Sequence, residues 1–266
     1  MLRLWNDTAR VAIYSDRLVM ARYRRSGFRR FLVDTRCVRF DDLKRGDWHG
    51  AINVLHEWAS TPVLSGAETS VEIASEFVQF LCLRRDPAIR SNDELAAFIE
   101  QRFTNAYGED TSPKELRWTA LDWGGSLFAA RFDVALLDGI RQCFVNTKPL
   151  CSVQPLLSSA LNRLRKALAG GPRWIVVIES RRVSLVKIID NRYCDVKAIN
   201  VDAPTSEVVA SFIEREMMID GLTERGRVLV CALVDDDGVF RKDGEAYQIL
   251  EVPAELIPLP RPAVTS

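Results

Sequence analysis

The sequence predicts a mixed α/β protein of two lobes, and two observations lead there. A three-stranded meander followed by a helix and a strand occurs twice, once near residue 10 and again near residue 174, a coarse internal repeat of about 165 residues. In addition, 47% of the 266 residues are hydrophobic and 27% charged, the balance of a chain that buries a sizeable core. That composition excludes a disordered tail, a collagen-like rod and a small disulfide scaffold.

The elements follow in order. Arg10–Tyr14 and Leu18–Tyr23 read as strands around a polar turn at Ser15-Asp16-Arg17, and Phe28–Arg39 as a third strand in which Phe31, Val33 and Thr35 alternate with Leu32 and Asp34. Trp48–Ala59 is an amphipathic helix with Asp47 as its N-cap, ended by Thr61-Pro62. Val71–Ile73 and Phe77–Leu83 read as a strand pair around Ala74-Ser75-Glu76. Ser91 and Glu94 stand at capping-box spacing and open a helix that stops at Gly108. Leu116–Asp122 and Ser126–Asp133 are strands around Trp123-Gly124-Gly125-Ser126, and Val134–Val145 is a helix with Leu136, Leu137, Ile140 and Phe144 on its apolar face. Pro149–Val153 is a short strand, and Gln154-Pro155 opens a helix to about Ala169.

Gly170-Gly171-Pro172 breaks the chain and marks the lobe boundary. This gives a first lobe over residues 1–169, with a helical insertion at about 84–115, and a second over 170–257. In the second lobe Trp174–Ile178 and Val183–Ile189 flank the turn Glu179-Ser180-Arg181-Arg182, and Tyr193–Asn200 is the third strand. Ser206–Ile219 is a helix, Arg227–Val234 a core strand, Asp235-Asp236-Asp237-Gly238 an acidic turn and Tyr247–Val252 a last strand. Residues 258–266 hold three prolines and read as a loose tail.

The longest strongly apolar run, Val228–Val234, is far short of the roughly 20 residues that cross a bilayer. Met1–Asn6 has no signal-peptide core, so a cytoplasmic protein is expected. None of the six cysteines forms a CxxC pair, which points to reduced structural thiols rather than a zinc or redox site. His49 and His56, the only histidines, lack a third ligand at helical spacing, and no metal site is expected. No GxSxG string marks a nucleophile.

The middle of the chain carries a narrower match. Val134-Ala-Leu-Leu-Asp-Gly-Ile-Arg-Gln-Cys-Phe144, then Cys151–Leu161, then Trp174–Glu179 resemble, in order and hydrophobic pattern, the type IV pilus assembly protein PilM family and the cytoplasmic domain of the type II secretion protein GspL. Ser152–Pro155 takes the place of that family's strand before the last helix of the lobe, Ile175–Glu179 the place of the strand opening the second lobe, and Val11–Arg22 the place of the opening phosphate hairpin. The resemblance implies a two-lobed, actin-like or RNase H-like fold. It implies a cytoplasmic protein, peripheral at the inner membrane through a partner. That partner would be a membrane protein with a short cytoplasmic tail, captured in a groove of the fold, or a secretion ATPase. A homo-oligomer is open.

The chain departs from the family at the phosphate turns. Where Asp-x-Gly is the family pattern, this sequence has Tyr14-Ser15-Asp16-Arg17 and Ile178-Glu179-Ser180-Arg181-Arg182, without glycine. Phosphate needs backbone N–H groups it can approach, and a Cβ stands in its way. Asp16 and Glu179 remain as carboxylates, but the cradle is missing. The expectation is a degenerate ATPase fold without catalysis, with ATP and Mg²⁺ not expected, acting as a scaffold. The alternative is an ATP-binding protein with a remodelled phosphate site.

Zero net charge hides an asymmetry. Residues 1–50 carry 12 basic and 6 acidic side chains, and residues 200–266 carry 6 basic and 13 acidic ones. Arg22, Arg24, Arg25, Arg29 and Arg30 cluster on the second strand and its turn, Arg22 and Arg24 on one face by period two. Such a cluster is a solvated, charge-protected strand edge or a docking surface for an acidic partner or the cytoplasmic leaflet. An RNase H-like nucleic-acid protein would also use it, but that chemistry needs several carboxylates converging on Mg²⁺, and the opening hairpin supplies only Asp16; nucleic acid is not the expected partner.

Overall fold

Strands β1 (Thr8–Ile13), β2 (Arg17–Ser26) and β3 (Arg29–Arg39) form an antiparallel meander in the computed structural model. The structure describes residues 7–26, 29–40, 47–61, 66–120, 126–145, 149–164, 173–190, 192–202, 204–223, 226–233 and 247–252. The proposed lobe boundary at 170–172, the Gly124-Gly125 turn, the acidic turn 235–238 and the tail lie outside them.

Helix α1 (His49–Ala59) crosses over from β3 and returns the chain to β4 (Glu68–Ile73), which runs parallel to β1 with Val11 opposite Val71. After an excursion described below, α3 (Val134–Phe144) leads to β8 (Leu150–Pro155), parallel to β4, and α4 (Leu156–Leu164) follows. The first sheet therefore has the order β3-β2-β1-β4-β8. Gly139 lets α3 lie close against α1, since a Cβ there would stand 3.3 Å from Ile52 Cγ2.

The second half repeats the plan. Strands β9 (Trp174–Ile178), β10 (Arg182–Ile189) and β11 (Arg192–Asn200) form a meander, α5 (Ser206–Ile219) crosses over, and β12 (Val228–Leu233) returns parallel to β9, with Val230 opposite Val176. Here the repeat ends: β13 (Tyr247–Val252) joins β12 antiparallel, giving β11-β10-β9-β12-β13.

Strand alternation divides the packing of this sheet. Trp174, Val176 and Ile178 face α5, where they meet Val209, Phe212 and Ile213, whereas Ile175 and Val177 join the large core formed by the first sheet with α1, α3 and α4. Each fully buried aliphatic side chain contributes about 1.5–3 kcal/mol, so this shared core holds the two sheets as one unit.

The excursion between β4 and α3 contains β5 (Val78–Arg84), α2 (Asn92–Tyr107), β6 (Lys114–Ala120) and β7 (Ser126–Asp133). They form a third sheet, β5-β7-β6, on which α2 lays Leu95, Ile99 and Phe103 against Leu127 and Ala129. The expected capping box is present: Ser91 Oγ accepts from Glu94 N–H, and Glu94 Oε2 accepts from Ser91 N–H.

Three expectations are corrected. The segments around Ala74-Ser75-Glu76 are not a strand pair. β4 is sandwiched between β1 and β8, and a 3-10 turn at Ser75–Phe77 diverts the chain so that β5 pairs with β7 in another sheet. The N-cap of α1 is Trp48, and Asp47 acts one residue earlier, its Oδ1 accepting from His49 N–H at 2.9 Å. Pro155 ends β8, so α4 begins one residue later, at Leu156.

Candidate functional site

Two hairpin turns and the 3-10 turn after β4 converge at the top of the first two sheets. In the first hairpin Tyr14 N–H donates to Arg17 C=O at 2.9 Å, and in the second Glu179 N–H donates to Arg182 C=O at 2.8 Å. The one positive φ among the described non-glycine residues is at Asp190, so neither turn uses the left-handed backbone that favours glycine. Ala74 N–H donates to Ile13 C=O at 2.8 Å and anchors the third segment beside the first turn.

Carboxylates of the chain itself occupy the amides of this site. Ser15 N–H donates to Glu76 Oε1 at 3.0 Å, and Ser75 N–H donates to Glu179 Oε2 at 2.8 Å. The two hairpins also touch directly, Ser180 Oγ donating to Asp16 Oδ1 at 3.2 Å. Converging N–H groups are anion donors, and here two of them already donate to side-chain carboxyl groups.

Glu179 is 3% exposed. Burial pushes its carboxyl up to about 7, against the hydrogen bonds from Ser75 and the charge of Arg182, which favour the ionised form. Burial also lowers Arg182, whose guanidinium donates to Asn200 Oδ1 at 3.0 Å. Arg17, buried, lies over the Tyr14 ring at 4.8 Å and within 3.4 Å of Asp16 Oδ2. Arg181 is exposed, its carbonyl accepting from Val201 N–H at 3.0 Å. The turn residues singled out from sequence, Ser15, Asp16, Arg17, Glu179, Ser180 and Arg181, thus meet at one place. Ser75 and Glu76, which complete the network, lie on the segment whose sequence reads as a strand-pair turn; a serine and a glutamate in a short polar break carry no signal by themselves.

Beside this network a cavity of about 180 Å³ opens towards the third sheet, lined by Trp48, Glu76, Phe77, Gln79, Lys114 and Arg131, among others. Arg131 is held in place: its Nε donates to Gln79 Oε1 at 2.7 Å and its guanidinium lies over the Phe103 ring at 5.1 Å. Lys114 pairs with Asp110 at 3.0 Å and Asp133 at 3.5 Å. The cavity therefore combines aromatic walls with fixed charges of both signs.

The arginine cluster lies elsewhere, on β2 and β3. Arg22 pairs with Asp7 at 2.7 Å, and Asp7 Oδ1 also accepts from Arg25 N–H at 3.3 Å. Arg24 and Arg25 are exposed, while of Arg29 and Arg30 the structure describes only the backbone, at the start of β3. Arg22 pairs with Asp34 and Tyr23 with Leu32, so the extra residue, Val33, lies on β3, and β2 keeps Arg22 and Arg24 on the face opposite buried Ala21 and Tyr23. Among the described residues no group of three or more His, Cys, Asp or Glu is placed to hold a metal ion. His49 stacks on Trp48, its Nδ1 2.8 Å from Asp47 Oδ1. None of the six cysteines is in a disulfide, and burial pushes Cys143 up to about 11.

No family model matches the chain, and no curated protein sequence matches it. Solved structures do. A Bacteroides thetaiotaomicron protein with an actin-like ATPase fold aligns with a TM-score of 0.55 at 9% identity, over 84% of this chain and 81% of that one. The cytoplasmic domain of EpsL, an inner-membrane component of the type II secretion system of Vibrio cholerae, aligns with a TM-score of 0.52 at 9% identity, over 86% of this chain and 84% of that one. The PilM–PilN type IV pilus biogenesis complex aligns with a TM-score of 0.51 at 14% identity, over 79% of this chain and 66% of that one. At these identities the likeness is one of fold: the chain has the actin-like fold expected from its sequence, with neighbours that include the PilM and GspL-type structures.

Proposed function

We propose that this protein is a non-catalytic adaptor of a type IV pilus or type II secretion-like inner-membrane assembly, and that it works by binding a partner's cytoplasmic segment. The observation that carries the non-catalytic part is the occupation of the Ser15 and Ser75 amides by Glu76 and Glu179. A phosphate arriving there would have to displace two carboxylates from their donors and stand beside Asp16. Like charges close together repel, and each displaced carboxyl group would lose the hydrogen bond it now accepts, that of Glu179 in a buried contact.

The fold likeness to PilM in its complex with PilN and to the EpsL cytoplasmic domain supports the assembly part. The cavity between α1 and the third sheet is the seat proposed for the partner. An extended segment can lay apolar side chains on Trp48 and Phe77 while its polar groups meet Lys114 and Arg131. No described helix is long and apolar enough to cross a membrane.

The test is co-purification from detergent-solubilised inner membranes, followed by titration with a synthetic peptide of the recovered protein's cytoplasmic segment. The adaptor reading predicts a pilus or secretion membrane protein whose peptide binds and is lost on Trp48→Ala. Recovery of no such protein would overturn it.

A further inference from the structure

Strand β3 is the free edge of the first sheet. It has a strand neighbour, β2, on one side only among the described residues. Sheet edges are normally blunted by short length, proline, charge or a bulge, because their unpaired N–H and C=O groups recruit other strands. β3 is 11 residues long and has no proline, but it carries one extra residue, Val33, where Arg22 pairs with Asp34 and Tyr23 with Leu32. Leu32 and Val38 pack inward on the main core. Phe31 and Val33 point the other way and are 50% and 45% exposed.

The surroundings are mainly of one sign, with Asp7 pairing Arg22. Between Arg17 and Arg39 the chain carries eight arginines and a single acid, Asp34. Arg24 stands directly opposite Phe31 in the register, and Arg24, Arg36 and Arg39 are all exposed. An apolar pair on an open strand edge, framed by guanidinium groups, matches a ligand with its own strand backbone, apolar residues on one face and carboxylates between them.

We infer that the β3 edge receives an extended acidic segment of a partner protein, which adds to the first sheet as a sixth strand. Backbone pairing supplies affinity, Phe31 and Val33 cover the alternate apolar side chains, and the arginines select for acid. A nucleic acid would leave the strand's hydrogen-bonding groups unpaired, and so would a lipid headgroup. The inference uses neither the nucleotide turns nor the identity of the assembly, so it stands or falls separately from the adaptor reading.

The experiment uses the full chain and a fluorescent peptide of about ten residues alternating Glu with Val or Thr, a common strand length. Anisotropy is read at about 50 and about 300 mM salt, because exposed charge pairs are screened over that range. The expected result is saturable binding that weakens with salt, falls about tenfold or more in Arg24→Glu/Arg36→Glu, and is lost when alternate peptide nitrogens are methylated, which removes strand pairing without altering the protein. Circular dichroism of the double variant establishes that it folds. The inference is overturned by no binding at low salt, by equal binding of the methylated peptide, or by tighter binding of vesicles with about 30% anionic lipid or of a DNA oligonucleotide at the same salt.

Discussion

Glu179 and Ser75 lie 104 residues apart in the chain, yet the backbone N–H of Ser75 donates to Glu179 Oε2 across 2.8 Å in a buried contact. The bond joins the opening hairpin of the second sheet to the turn that leaves the first, and it places a carboxylate on a backbone donor at the centre of the site.

That carboxylate sets a pH dependence. Its folded value is raised from 4.5 to about 7, mainly by burial. Between these values the folded chain holds a proton that the unfolded chain has released, so stability falls as pH rises through the window. The loss is about 3 kcal/mol at most. Glu179→Gln is expected to flatten urea midpoints between pH 5 and 8 and to be the more stable protein at pH 8. A variant less stable than the parent at pH 8 contradicts this assignment.

The contact between the hairpins is measurable as a coupling. Ser180→Ala and Asp16→Ala each remove the 3.2 Å bond between the turns and are expected to cost about 1 kcal/mol. Because both delete the same interaction, the double variant is expected to cost less than the sum of the singles in equilibrium denaturation. Strict additivity means that the turns do not touch in solution.

Helix α2 separates two kinds of contribution. Ser91→Ala deletes half of the capping box and is expected to cost about 1 kcal/mol. Phe103→Ala empties a fully buried position beneath Arg131 and is expected to cost about 3–5 kcal/mol. Thermal denaturation orders the two; equal losses would mean that α2 is not packed on the third sheet as described.

A charge network ties α5 to the second sheet. Glu216, buried, accepts from Lys197 and from Arg215 at 3.2 Å, and the same contact raises Lys197. Lys197→Met leaves the buried carboxylate with Arg215 alone and, because Lys197 is itself partly solvated, is expected to cost about 1–3 kcal/mol, most of which Lys197→Met/Glu216→Leu recovers. Chemical denaturation of the single and double variants checks this, and failure of the double variant to recover stability contradicts it.

Local features were legible in the sequence because their causes are local. Ser91 and Glu94 are three residues apart and cap the same turn, and the polar breaks at Ser15–Arg17 and Glu179–Arg182 sit between apolar runs that have to reverse. The repeat of meander, helix and parallel strand was legible for the same reason. What escaped was set by distant pairing. Whether β5 continues beside β4 depends on β1 and β8 already flanking β4, which nothing within residues 68–84 announces. The closure of the site escaped likewise: Glu76 meets Ser15 across 61 residues and Glu179 meets Ser75 across 104, and such pairs leave no periodicity to read. The absence of glycine from the two turns was plain in the sequence, but not that carboxyl groups would sit on the amides of Ser15 and Ser75.

Titration calorimetry of the intact protein with Mg-ATP tests the central claim most directly. With Glu76 and Glu179 on the amides of Ser15 and Ser75, the predicted result is no saturable heat up to millimolar nucleotide. A saturable isotherm in the micromolar range would contradict the non-catalytic adaptor and restore the site as a working nucleotide cleft.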